Sequence, residues 1–259
     1  MKLIHSIASS AMILTIINLA AASSVPAEVP VPQTGTGTGH GDGSGFRPAE
    51  SKPSLRYRAP SQFGSHGTFA AWINLDDPST ASGAIFSAGT PDTGWMLLQI
   101  AEGKLTFLLQ RGVKPFVGED ECYLNISTPI DTWAPGSWHH VAVAWDARGP
   151  GQSLAALFID GQMVEERNTA SLAQGWGPEM LFIGSSSASA AGHRIAGTLD
   201  NVAVFPFAVP PDQMNAVFDG DLTGAALFAD FEADSDAKDL RLSPDDAAAR
   251  AESRAKWSR

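Results

Sequence analysis

The 259 residues are 44% apolar and only 17% charged, with 25 glycines, 17 prolines and one cysteine. This balance suits short strands joined by tight turns and excludes a long-helix bundle or a disulfide-stapled scaffold. The formal charge of −11 comes from 28 acidic against 17 basic residues, and the basic ones form no stripe along the sequence, which argues against nucleic acid as a partner.

Residues 1–22 read as a secretory signal peptide, with Lys2 as the basic start, an apolar run over 7–19, and Ala20, Ala21 and Ala22 before Ser23. The run is interrupted by Ser9, Ser10 and Asn18 and is shorter than the roughly 20 apolar residues of a spanning helix. No later segment is long enough, so the mature chain is expected to have no membrane span and to be secreted, periplasmic or at the cell surface. Cleavage removes Lys2 and leaves a formal charge of about −12. With only Cys122, an exported domain must rest on its core, and Cys122 itself reads as a half-buried strand residue.

Residues 23–54 read as a disordered linker rich in Pro, Gly, Ser and Thr. The glycines of 35–45 have no preceding strand and no following Gly-Lys-Ser/Thr, so they do not make a phosphate loop. From residue 55 to 235 the texture changes to apolar runs of strand length ended by Gly, Pro, Asp or Asn. Strands are predicted over 68–75, 84–87, 95–100, 105–110, 138–145, 154–159, 163–165, 180–183 and 195–205. Glu102-Gly103 and Asp160-Gly161 each separate two runs by two residues, the spacing of a type I′ hairpin. Such meanders favour an all-β antiparallel sandwich over a parallel sheet. A short helix is predicted over 210–218, with Met214, Val217 and Phe218 on one side. Residues 236–259 read as an acidic, Ala-rich tail whose helix starts at Ser243-Pro244-Asp245-Asp246.

Candidate chemistry is sparse. His139 and His140 are adjacent, so on a strand they face opposite ways and cannot chelate one ion together, and nothing next to them in sequence supplies an orienting acid and a nucleophile. Asp230, Glu232, Asp234 and Asp236 share one parity and would line one face of an extended strand. Paired carboxylates are the machinery of glycoside hydrolysis, but the separating Ala233 and Ser235 fit a solvated strand end running into an acidic loop. Sugar recognition uses an exposed aromatic face beside amides or carboxylates. Trp95, Trp133 and Trp176 adjoin Gly- or Pro-rich turns and are the ligand-binding candidates, whereas Trp72, Trp138 and Trp145 sit inside predicted strands. Asn125-Ile126-Ser127 is a glycosylation sequon.

Three segments, GTFAAWIN (67–74), SWHHVAVAWDARG with LAALFIDGQMVEE (137–149 and 154–166), and IAGTLDNVAVFPFAVPPDQMNAVF (195–218), resemble the laminin-G-like, concanavalin-A-like lectin/glucanase jelly rolls. The resemblance implies a β-sandwich with a short helix after its closing strand, and a structural role for the histidine pair. It implies calcium at the sandwich rim, held through the carboxylate of Asp200, since hard oxygen ligands suit that ion. The family's early aromatic strand is matched best by GAALFADFEAD at 224–234, which is expected to act as a permuted or closing strand or to begin a second copy, although no second Trp-His-His motif is present. With no complete catalytic set, the expected function is that of an exported non-catalytic module binding a glycan or a cell-surface protein. The alternatives are a glycoside hydrolase or lyase using the 230–236 carboxylates, and a structural or adhesion domain of the cell envelope.

Overall fold

The computed structural model of the chain describes residues 45–49, 54–60, 63–90, 94–111, 123–146, 153–169, 177–186 and 193–231. In chain order the strands are β1 (Leu55–Arg58), β2 (His66–Leu75), β3 (Gly83–Thr90), β4 (Gly94–Ala101), β5 (Lys104–Arg111) and β6 (Tyr123–Pro129). They continue as β7 (Trp138–Asp146), β8 (Ser153–Ile159), β9 (Gln162–Thr169), β10 (Met180–Ile183), β11 (Gly197–Phe205) and β12 (Leu227–Ala229). Two antiparallel six-stranded sheets result, ordered β1-β10-β3-β4-β5-β6 and β12-β11-β2-β7-β8-β9. This is the antiparallel sandwich that the alternating apolar runs predict. The signal segment, Cys122 and the C-terminal helix lie outside the described residues.

Alternation along each strand sends one set of side chains between the sheets. From the second sheet come Phe69, Ile73, Val141, Val143 and Trp145, and from the first Met96, Leu98, Ile100, Leu105 and Phe107, all buried in one core. Trp145 is fully buried. Its ring meets Phe63 edge-on at 4.8 Å and stacks on Phe107 at 5.6 Å, while its Nε1–H donates to the Phe63 carbonyl at 3.0 Å, so the polar edge of the indole is satisfied inside an apolar core. Gly67 permits this packing, because a Cβ there would come to 2.7 Å from both the Phe63 and Trp145 rings.

The two outer faces differ. On the second sheet the outward positions Ala70, Ala142, Ala144 and Ala156 are small and buried, and they share a second apolar cluster with Phe207, Val209, Met214 and Val217. The segment after β11 therefore lies across this face. It contains a 3-10 turn, Pro211–Gln213, and the helix α1, Met214–Phe218. The expected helix over 210–218 thus opens as a tighter turn, its start occupied by Pro210 and Pro211. Thr68, fully buried on β2, anchors the segment: its hydroxyl donates to the Phe207 carbonyl at 2.9 Å and accepts the Val209 N–H at 2.8 Å.

Both predicted hairpin turns have positive φ at both central residues, 52° and 68° at Glu102-Gly103 and 49° and 77° at Asp160-Gly161, as type I′ geometry requires. Strands β1 and β6 were not legible in sequence. Both are edge strands of the first sheet, and β6 reads YLNISTP, with Asn and Ser outward and a proline that an edge strand tolerates at its last position. The run at 224–234 does contribute a closing strand, since β12 pairs with β11. Within the stretch read as linker, Phe46 exchanges two backbone hydrogen bonds with Leu199, of 2.7 and 2.9 Å, and Arg47 pairs with Asp76. The opposite edge of that sheet is β9, exposed along most of its length with Met163 at 47% and Val164 at 39%.

Replacing Thr68 by the isosteric valine leaves the Phe207 carbonyl and the Val209 N–H buried without partners. Thr68→Val is expected to cost about 2–4 kcal/mol in urea unfolding. A loss below 1 kcal/mol would show that the hydroxyl is not the anchor of the covering segment.

Candidate functional site

The outer face of the first sheet carries no comparable apolar cover among the described residues. With Met96, Leu98 and Ile100 turned inward, the alternation of β4 turns Trp95, Leu97 and Gln99 outward. Register then sets Trp95 between Gly89 and Gln110, Leu97 between Ser87 and Leu108, and Gln99 between Ala84 and Thr106. Leu108 is followed by Asn125 on β6. Ser87, Leu97 and Ala84 are buried and make a floor, while Trp95, Gln99, Leu108, Gln110 and Asn125 are half-buried around it. Gly89, the β3 partner of Trp95, puts no side chain beside it. An indole bordered by carboxamides is the chemistry that stacks on a sugar ring and bonds its hydroxyls.

Of the three tryptophans singled out in sequence, only Trp95 stands on this face. Trp133 is 7% exposed, its ring stacked flat on His139 with centroids 4.2 Å apart and planes 10° from parallel. Trp176 lies outside the described residues. Gln99, Gln110 and Asn125 were not recognised as site residues. Asn125 drew notice only as a sequon, and the signal that would have found all three is the phase of alternation in β4 to β6. Asp230 is half-buried beyond β12, and Glu232, Asp234 and Asp236 lie outside the described residues.

Asp200 is 1% exposed and belongs to the other sheet, opposite Trp72. It precedes a bulge at which Asn201 takes a φ of 45°, and its Oδ1 accepts the Asn201 N–H at 2.8 Å. One buried carboxylate with one oxygen so engaged is a small part of the six to eight oxygens that calcium takes. Among the described residues no three acidic, His or Cys side chains converge on a common point that would hold an ion.

The histidine pair does have an orienting acid, supplied across the β8–β9 turn rather than by its sequence neighbours. Asp160 Oδ2 lies 2.9 Å from His139 Nδ1, and Oδ1 accepts the His140 N–H at 2.8 Å. Ser137 Oγ is 3.0 Å from His139 Nε2, which completes a Ser-His-Asp chain. That chain is not set for nucleophilic attack. Ser137 Oγ donates its single proton to the Ala134 carbonyl at 2.7 Å, an atom that only accepts, so the ring does not receive it. The N–H groups of Trp133, Gly136 and Ser137 are engaged by the carbonyls of Ile130, Leu75 and Ala134, which leaves none of the three for an oxyanion. The chain braces the hairpin and the loop before β7. His140 faces the other way, with its ring edge-on to both Trp72 and Phe218.

A laminin G family model, described as concanavalin A-like lectin/glucanases superfamily, matches residues 53–215. The chain belongs to that superfamily. Solved structures with similar folds include a tailspike enzymatically active domain of bacteriophage CBA120, 18% identical over 74% of this chain and 30% of that one, with a TM-score of 0.51. A heptameric SAP-like pentraxin of Limulus polyphemus is 20% identical over 75% of this chain and 90% of its own, at 0.49. Domains LG4-5 of the mouse laminin alpha1 chain are 18% identical over 61% of this chain and 40% of theirs, at 0.43. At such identities the likeness is one of fold. No curated protein matches the sequence. Among the described residues no helix is long and apolar enough to cross a membrane.

Burial pushes the His140 imidazole down to about 4, against a smaller upward pull from Asp160. In the unfolded chain the ring titrates near 6.5, so between pH 6.5 and 4 the unfolded state holds the extra proton. Stability is then unaffected by this group above about pH 6.5 and falls as pH drops through that window, by up to about 3 kcal/mol. His140→Phe should flatten the slope of unfolding free energy between pH 6.5 and 4 relative to the parent, and parallel profiles would show that the ring does not titrate in this way. Asp160→Asn keeps a residue tolerated at positive φ but removes the carboxylate. We expect it to lower stability by about 1–3 kcal/mol, and a variant as stable as the parent would remove the brace.

Proposed function

We propose that the protein is an exported, non-catalytic binding module that recognises a carbohydrate through the outer face of the sheet β1-β10-β3-β4-β5-β6. The observation that carries this is Trp95, half-buried on that face between Gly89 and Gln110, with Gln99 along the same strand and Asn125 across β5. Stacking of a pyranose ring on the indole supplies apolar contact, and the carboxamides donate to and accept from its hydroxyls. The contrast with the other sheet supports the choice of face, because there the outward positions are occupied by the chain's own Phe207, Val209 and Met214. The predicted signal peptide supports export. Asp200 is the carboxylate that the proposal assigns to calcium.

Retention of the full chain on a panel of immobilised polysaccharides tests the reading. Trp95→Ala should weaken retention by about tenfold or more, the loss of roughly 1.4 kcal/mol, while Trp133→Phe should lower thermal stability and leave affinity alone. No retention on any glycan, or full retention by the Trp95 variant, would overturn it. Loss of retention in chelator, restored by calcium and absent in Asp200→Asn, would support the calcium assignment, and indifference to chelator would remove it.

A further inference from the structure

The open sheet face has a charge pattern unlike that of the chain as a whole. The protein carries 28 acidic residues against 17 basic, yet the described outward positions of this sheet hold no carboxylate. Inward-facing Leu55 and Tyr57 turn Arg56 and Arg58 outward on β1, where both are exposed, and inward Leu105 turns exposed Lys104 outward on β5. Arg56 is set beside Phe182, which in turn neighbours Ser87 and the floor of the face. A fourth cation enters where β10 has ended. Arg194 bridges Ala84 on one side and Ser185 on the other, and directly bridged residues point their side chains to the same side of a sheet. Register therefore runs Ser185, Arg194, Ala84, Gln99, Thr106, Ser127 across one row. Gly83 makes this possible, because any Cβ there would overlap the Arg194 carbonyl.

Among the described residues these cations have no ion-pair partner. The ion pairs among the described residues are Arg47–Asp76 and His139–Asp160, and none of the four belongs to either. Buried polar atoms without a hydrogen-bond partner also occur along these strands and the bridged segment: Arg194 Nη1, Ser185 Oγ and Asn125 Oδ1. A buried guanidinium nitrogen without an acceptor costs stability unless one is supplied, and a guanidinium selects a planar or tetrahedral oxyanion. The row through Arg194 and the Trp95 ring are separated by four residues of β4, roughly 13 Å at about 3.4 Å per residue, a span longer than one sugar ring.

We propose that the ligand of this face is an acidic glycan, a polymer bearing uronate or sulfate groups. Its anionic groups are held by half-buried Arg194 and, at the β1 edge, by exposed Arg56 and Arg58, while Trp95 stacks on a ring farther along the same chain. The inference rests on the carbohydrate-binding reading above and adds the charge of the ligand. Long-range attraction of a polyanion to a chain of net charge −11 is unfavourable, so binding requires this local face.

Matched polymers test it: dextran against dextran sulfate, and methyl-esterified against de-esterified polygalacturonate, with retention of the full chain measured for each. The acidic member of at least one pair should retain the protein at least tenfold more strongly, with retention falling as salt rises, and the pair that shows the difference distinguishes sulfate from carboxylate. Arg56→Gln with Arg58→Gln, both at exposed positions, should reduce that preference severalfold. Arg194→Gln should do the same, with its melting temperature checked in parallel. Arg167→Gln, an exposed cation on β9 of the other sheet, should change nothing. Equal retention by both members of each pair, still sensitive to Trp95→Ala, would sink the acidic ligand and leave the binding module standing. An equal effect of Arg167→Gln would place the attraction outside this face and also overturn the proposal, and no retention on any polymer would end both readings.

Discussion

The Thr68 hydroxyl decides which side of this sandwich is closed. Two sheets packed face to face have two outer faces, and in this chain one segment, residues 206–226, crosses one of them. Thr68 holds that segment by a donor and an acceptor bond at its start, and the small outward side chains Ala70, Ala142, Ala144 and Ala156 let it lie close. The arrangement is self-consistent: alanines outward on an exposed sheet would gain little from burial, whereas under a covering segment they admit Phe207 and Met214. The other sheet carries larger, mixed side chains outward, and these are the groups that can bind something.

The Asp160 carboxylate shows how a motif can carry the parts of a catalytic device without its function. It lies at a turn position of positive φ and reaches back across the hairpin to His139 and to the His140 amide. Gly161 beside it has no room for a Cβ against Asn215 and Phe218 of α1, so the turn also seats the covering helix. Serine, histidine and aspartate in line suggest a relay only until the protons are counted: one hydroxyl proton faces two acceptors, and the backbone carbonyl takes it. Trp133 stacks over the imidazole. The same side chains therefore read as a brace between the loop at 130–137, the β8–β9 turn and the edge of the core.

Local periodicity made most of the strands, both type I′ turns and the helix after β11 legible, because each depends on residues close in sequence. The role of His139 was half legible. Its opposite orientation from His140 follows from strand geometry, but its acid sits on the far side of a hairpin, and a search among sequence neighbours could not find it. Trp95 and Trp133 looked alike in sequence, each beside a turn, and they differ because one falls on the outward phase of β4 while the other caps the core at the rim. The basic face was invisible for a related reason. Arg56, Lys104 and Arg194 are scattered along the chain, and only strand order brings them to one surface, through an edge strand and a bridged segment with too little alternation to be noticed.

Strand β9 is an uncovered edge with two exposed apolar side chains, Met163 and Val164, the kind of edge along which sheets of different molecules can merge. Its middle residues are Glu165 and Glu166. If two copies paired antiparallel along nearly the whole strand, the centre of the ladder would set Glu165 or Glu166 of one against a glutamate of the other, since antiparallel pairing of a sequence with itself brings its middle onto its middle. Like charges directly opposite across a ladder repel. The edge can thus stay open to solvent without acting as a template for its own kind, and a protein presented at high local density on a surface would remain a set of separate sandwiches instead of a continuous sheet.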